Sequence, residues 1–197
     1  MAEIHFQTYQ GAEISKVFDP LGKLRITVFH DYPYLYEGTL EYEKAYLKTY
    51  SDAASSFLFA AFDGDEMIGA TTCIPLKDET EDVQEPFKLA GLDIRSIFYF
   101  GESILLPQYR GLGLGHRFFD EREAHAKSFG RFKFTCFCGV VRPEDHPAKP
   151  ADFRPLNDFW KKRGYEPVPG LVSQFEWLDI GETTPTHKPM QYWMKAI

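Results

Sequence analysis

Apolar positions change their spacing several times along this chain, and each change marks an element. Residues 4–9 alternate apolar and polar, the two-residue period of a half-buried strand. From Glu13 to His30 the apolar residues Ile14, Val17, Phe18, Leu21, Leu24, Ile26 and Phe29 recur at near-helical spacing, with Pro20 and Gly22 interrupting. Proline inside a helix removes a backbone hydrogen bond, so a helix in two parts is expected. Residues 39–50 form a second helix, with Tyr42, Ala45, Tyr46 and Tyr50 assigned to one face.

The period then drops to two. Residues 56–62 and 66–74 read as strands joined by the tight turn Asp63-Gly64-Asp65, as in antiparallel neighbours. Residues 77–92 are mixed and charged, a loop with a short helix around Pro86–Leu89. Ile97–Leu106 is the strongest strand pattern, Gly113–Phe129 a helix stopped by Gly130, and Phe132–Val141 another strand. A short helix over Pro155–Arg163 precedes a strand at Leu171–Ile180 and a last one at Met190–Met194. The order is β-α-α-β-β-β-α-β-α-β-β: an α/β chain with a mixed sheet and helices on both faces. No repeat or long linker divides residues 1–197, which read as a single domain.

Composition narrows the partners. A formal charge of −7 argues against a general nucleic-acid binder. No run reaches the roughly 18 apolar residues that span a bilayer, so no membrane partner is expected. The start, Met1 to Phe6, lacks a basic and apolar leader pattern, and three sparse cysteines fit a reducing compartment; a cytoplasmic location is the expectation. Cys136 and Cys138 lie two apart on one strand without further ligands at metal spacing, so they read as core thiols and no metal is expected. Aromatic residues reach 16%, and the cluster Tyr32-Pro33-Tyr34-Leu35-Tyr36 is too dense for one buried face.

The chemistry concentrates after the strongest strand. There Arg110-Gly111-Leu112-Gly113-Leu114-Gly115-His116 places glycine at alternate positions where a helix begins. Such a loop can curl so that several backbone N–H groups meet one anion, and the helix start adds unpaired donors with a partial positive charge. A dinucleotide fingerprint requires a further glycine where His116 or Phe118 stands, and a nucleotide P-loop requires Lys-Ser/Thr after Gly115, where His116-Arg117 follow.

With its lead-in Pro107-Gln108-Tyr109, this stretch resembles the coenzyme-A-binding motif Arg/Gln-x-x-Gly-x-Gly/Ala of the GNAT superfamily of N-acetyltransferases. The Arg110 frame fits best; Gln108-x-x-Gly111-x-Gly113 also matches. The element order is that of the family as well. The resemblance implies a GNAT-like mixed sheet of about seven strands, splayed between the fourth and fifth. It also implies acetyl-CoA as acyl donor, with pyrophosphate held by the loop from Arg110 through Gly111, Leu112, Gly113, Leu114 and Gly115 to His116. The backbone of Ser103, Ile104 and Leu105 would pair with the pantetheine arm like an added strand.

Acyl transfer to an amine needs a proton acceptor, a donor to the thioester oxygen such as the Leu105 N–H, and, less stringently, a proton for the thiolate. For the acceptor, Glu102 stands out as a carboxylate in an apolar strand, either a base or a structural ion-pair partner. Alternation places it opposite Ser103 and Leu105 unless Gly101 hosts a bulge. His146, in the loop after the strand Phe132–Val141, is a second candidate, and a solvated turn explains it equally. The family's proton donor is commonly a tyrosine where this chain has Trp160, in Trp160-Lys161-Lys162-Arg163-Gly164-Tyr165; Tyr109, Cys138 and Ser103 are substitutes. The resemblance places the acceptor amine, on a small molecule or a protein, near Tyr32, Tyr34 and Tyr36, where rings with Asp31 and Glu37 suit a cationic body. Two alternatives stay open: a CoA-binding module without catalysis, and a homodimer whose acceptor site is completed by the aromatic segment Gln191-Tyr192-Trp193-Met194.

Overall fold

The computed structural model describes residues 3–197; Met1 and Ala2, where a leader pattern would begin, lie outside them. Seven strands form one sheet in the order β1-β2-β3-β4-β5-β7-β6. The strands are β1 Ile4–Gln10, β2 Phe57–Asp63, β3 Glu66–Pro75, β4 Ile97–Leu105, β5 Phe134–Val140, β6 Glu166–Trp177 and β7 Thr186–Ala196. All neighbours are antiparallel except β4 and β5, which run parallel and need a helical crossover. That helix is α4, Leu114–Ser128. Helices α1 (Phe18–Phe29) and α2 (Leu40–Asp52) precede β2, α3 (Glu81–Leu89) lies between β3 and β4, and α5 is Asn157–Lys162.

The first helical region is in two parts, as the proline predicts, but the break falls earlier. A 3-10 stretch, Gly11–Val17, gives way to α1 at Phe18, so Pro20 occupies the first turn, where its missing N–H costs nothing. Gly22 remains helical: a Cβ there would lie 2.8 Å from Leu40 Cδ1 and 3.2 Å from Glu43 Cβ, so glycine lets α2 approach α1 closely.

Three expectations are corrected. The buried face of α2 is Glu43, Leu47 and Tyr50, with Tyr42 57% exposed and Ala45 exposed. The apolar pattern misplaced it because a charged residue takes a core position. The loop at 77–92 contains a nine-residue helix, with α3 packed on β6 by way of Ser173 Oγ, which donates to Asp82 O at 2.7 Å. The terminal strands are longer than predicted, and β7 is an inner strand. Tyr192 (0% exposed) and Trp193 (5%) are therefore core, and this segment offers no exposed aromatic surface to a partner.

Candidate active site

The parallel pair β4–β5 is short. Ile97, Phe98 and Tyr99 pair with Phe134, Thr135 and Cys136, and no pairing continues beyond Tyr99. From there β4 stays on β3, while β5 stays on β7 as far as Val140. The strands therefore splay, and among the described residues the β5-facing edge of β4 from Gly101 to Leu105 carries no strand partner. Ser103, Ile104 and Leu105 lie on this edge.

A bulge sits where the splay opens. Thr71 pairs with Ser103 and Cys73 with Phe100, so Gly101 and Glu102 together oppose Thr72. Phe98 and Phe100 face α4, where they meet His125 and Phe119. The extra residue turns Glu102 to the opposite face, against Arg25 of α1. A Cβ on Gly101 would lie 2.0 Å from Tyr50 Oη and 2.6 Å from Thr72 Oγ1. Gly101→Ala is therefore expected to destabilise the fold by about 1–3 kcal/mol through overpacking, read as a shifted urea midpoint; an unchanged midpoint contradicts the packing described.

Beyond β4, a 3-10 turn (Pro107–Tyr109) leads into the glycine loop. Gly111 (φ +83°) and Gly113 (φ +80°) occupy the left-handed region that residues with a Cβ resist. Among the described residues the amides of Gly111, Leu112, Gly113, Leu114 and Gly115 donate to no protein acceptor. Those of Arg110 and His116 do, to Pro107 O and Gly113 O at 3.1 Å each, which removes the His116 N–H from the expected cradle. The helix start has no side-chain cap. Gly115 lies within the first turn of α4, where a Cβ would make only ordinary contact with Phe159 (3.7 Å).

On the α1–α2 face lies a buried polar group that the sequence shows only in part. Arg25 pairs with both Glu43 of α2 and Glu102 of β4. Burial pushes the Glu102 carboxyl up, and the Arg25 guanidinium pulls against it. Burial opposes the charge on Arg25, but Glu102 and Glu43 hold it protonated. Beside them Tyr50 Oη donates to Glu79 Oε1 at 2.7 Å, and the Thr80 N–H donates to Glu79 Oε2 at 2.8 Å. Burial raises Glu79 as well, with those two donors opposing it. On the α4 face, Arg122 lies between Phe100 and Phe119, and burial lowers it to about 10.

The segment between α1 and α2 closes over this face. Arg142, just past β5, donates through Nε to Pro33 O (2.7 Å), through Nη2 to Tyr34 O (2.6 Å), and to both oxygens of Asp179 (2.7 and 2.9 Å). Trp177 Nε1 adds a bond to Tyr34 O at 3.1 Å. These bonds seat the Tyr34 ring against Phe29 and Trp177. Its phenol is raised by burial and by nearby Cys138, with the Val140 backbone opposing. The other two loop tyrosines point elsewhere: Tyr32 packs on His146 and Phe153, and Tyr36 turns toward Tyr42. His146 is half-buried against Tyr32, and its Nδ1 accepts from the Ala148 N–H at 3.2 Å.

The substitutes for the missing tyrosine separate. Trp160 lies against Phe137 and Trp193, over Gly139, where a Cβ would come within 3.0 Å of its ring. Tyr109 Oη is committed to Asp63 Oδ2 at 2.7 Å, at the end of β2. Ser103 is exposed on the free part of β4. Cys138 lies on the splayed half of β5 with Sγ 3.3 Å from Tyr99 Oη, its thiol pushed up to about 12 by burial.

No protein-family model matches the chain, and no curated protein matches it. Solved structures do. The chain is similar to a GNAT-family acetyltransferase from Streptococcus pneumoniae (14% identity, 99% of this chain and 100% of that one, TM-score 0.58). It is also similar to an N-acetyltransferase from Staphylococcus aureus (10% identity, 99% of each chain, TM-score 0.62). A third is Arabidopsis thaliana NAA60 in complex with a bisubstrate analogue (14% identity, 99% and 98% covered, TM-score 0.59). The chain therefore has the fold of the GNAT acetyltransferases, over essentially its whole length. Among the described residues, no helix is long and apolar enough to cross a membrane.

Proposed function

We propose that this protein is an acyl-CoA-dependent N-acetyltransferase that transfers an acetyl group to a primary amine by direct attack within a ternary complex. One observation carries the proposal. Five unpaired amides at the uncapped start of α4 stand at the end of a strand whose edge is free for the preceding five residues. A diphosphate fits the first, since anions are favoured at helix starts. An extended chain of amides, such as pantetheine, fits the second, because it can complete the ladder that β5 abandons.

In this arrangement the amides of Gly111 to Gly115 hold the pyrophosphate, and β4 from Gly101 to Leu105 aligns the arm. The thioester then lies near the bulge, between the acidic face of α1–α2 and Cys138 of β5. The buried carboxylates and tyrosines on that face favour an acceptor that arrives as a cation, and the exposed Asp31 and Glu37 carry the same sign outward. Before attack the ammonium must lose a proton to this face. The departing CoA thiolate, with a pKa of roughly 8.5, needs the least help, which accommodates tryptophan at position 160.

A panel of primary amines with acetyl-CoA, followed by the appearance of free thiol, tests the proposal. Steady thiol release that depends on both substrates is expected. Acetyl-CoA binding without release, for every amine, marks a binding module and overturns the proposal.

A further inference from the structure

Beside the Arg25 ion pairs runs a second set of polar groups that the sequence does not single out. Glu79 closes the turn between β3 and α3, is 5% exposed, and among the described residues has no cation within ion-pair distance. Its carboxylate accepts from two neutral donors, Tyr50 Oη (2.7 Å) and the Thr80 N–H (2.8 Å). Tyr50, 0% exposed, lies 3.3 Å through its hydroxyl from Tyr46 Oη, one turn earlier on α2. Tyr46 is half-buried and carries the Arg25 guanidinium 4.5 Å over its ring. Tyr50 Oη also lies directly over Gly101, two residues past the last β4–β5 pair, so the chain of groups runs beside the opening of the splay.

The direction of this chain follows from proton counting. A phenol has one proton to donate. Tyr50 gives its proton to Glu79, so toward Tyr46 it can only accept. Tyr46 therefore donates to Tyr50 and keeps an oxygen lone pair free to accept. A chain polarised this way accepts a hydrogen bond at its outer end, which an ammonium supplies.

We propose that Glu79 is the terminal proton acceptor for the acceptor amine, reached through Tyr46 and Tyr50. The ammonium N–H bond breaks as its proton passes to Tyr46 Oη. The Tyr46 proton passes to Tyr50 Oη, and the Tyr50 proton passes to Glu79 Oε1. Both tyrosines end neutral, the amine becomes a free nucleophile, and Glu79 becomes a carboxylic acid. Glu102, by contrast, has its charge opposed directly by Arg25. Besides burial, Glu79 is set by the Thr80 N–H, Tyr50 on α2, Glu102 on β4 and Arg25 on α1, while Tyr46 on α2, Cys136 and Cys138 on β5 and Tyr192 on β7 feel its charge in turn. Only Arg25 among them is cationic, and it is shared with two other carboxylates. Burial holds Glu79 above an ordinary carboxyl, the direction that strengthens it as a base.

The inference rests on the acyltransferase proposal, and its test separates the two. Acetyl-CoA binding and thiol release by the wild type test that proposal, and if both are absent this inference falls with it. The relay is tested by kcat/KM for the amine against pH in E79Q, E79D, Y46F, E102Q and the E79Q/Y46F double variant. E79Q and Y46F are each expected to lower kcat/KM by about 10²- to 10⁴-fold and to lose the acid limb of the profile. KM for acetyl-CoA should stay within about twofold, because neither group is placed against the CoA path. The double variant should fall no further than the lower single one, as groups in one relay act as a unit. E79D should restore part of the rate and the limb. In addition, the wild-type minus E79Q infrared difference spectrum should isolate one protonated-carboxyl band that grows in as pH falls, and that band should be shifted in Y46F, whether or not turnover is measured. If E79Q does not fold, Y46F carries both readouts. An acid limb kept by E79Q and lost by E102Q, additive losses in the double variant, or a band unmoved in Y46F would each overturn the proposal.

Discussion

Gly113→Val is expected to weaken acetyl-CoA binding on the order of a hundredfold or more while leaving the fold intact. At φ +80° a β-branched residue cannot keep the backbone where glycine holds it, so the loop relaxes and its amides turn away. Nothing in the protein lies within 4 Å of the added Cβ, and the position is exposed, so the strain has room to dissipate without reaching the core. A hydrogen bond to a charged group contributes roughly 1.5–3 kcal/mol. Loss of two therefore weakens binding by at least about 3 kcal/mol, on the order of a hundredfold or more. Calorimetric titration of Gly113→Val and wild type under the same conditions reads the difference directly, with circular dichroism to show that the fold persists. Equal heats and equal affinities would mean that the loop does not hold the phosphates. Gly115→Ala provides the internal comparison. Its Cβ makes only an ordinary contact with Phe159, so it should fold normally.

Arg25→Met should have the largest effect on stability. The substitution leaves Glu43 and Glu102 buried with no cation between them, and breaking a buried pair from one side costs about 3–5 kcal/mol. The loss should depend on pH in a definite direction. Without Arg25, the main charge opposing the burial of Glu102 is gone, so its carboxyl rises further above its value in the unfolded chain. Below the unfolded value, near 4.3, both states are protonated and the penalty is smallest. As pH rises above it, the unfolded chain releases protons first, so the variant loses further stability up to the folded-state pKa. Urea unfolding of wild type and variant at several pH values measures this. A deficit under about 1 kcal/mol, or one that shrinks with rising pH, would show that the triad is not buried and charged as described.

Much of the scaffold is legible in local patterns. The apolar run of β4, the alternate glycines and the amphipathic α4 lie within 32 residues, Ile97 to Ser128, and each is a short-range signal. Gly101 in a strong strand beside a carboxylate points to a bulge for the same reason. The polar site is less legible because its partners are distant in sequence. Arg25 meets Glu43 across 18 residues and Glu102 across 77, and Arg142 meets Asp179 across 37 and Pro33 across 109. One local signal for the triad does exist: Arg25 follows Leu21 and Leu24 on the core stripe of α1, and Glu43 precedes Leu47 and Tyr50 on that of α2. A charge at an i, i+3, i+4 apolar position predicts a buried partner. Apolar residues alone point the face of α2 toward Tyr42 and Ala45, because Glu43 does not count among them. Nothing comparable marks Glu79 or Arg142, whose roles arise only when β3 and β5 end beside the α1–α2 segment.

The most direct measurement is a crystal structure of the protein grown with acetyl-CoA. The pyrophosphate is expected on the amides of Gly111 to Gly115, the pantetheine along β4 between Gly101 and Leu105, and the thioester at the bulge. Acetyl-CoA bound elsewhere on the molecule, with the gap between β4 and β5 still open, would contradict this placement.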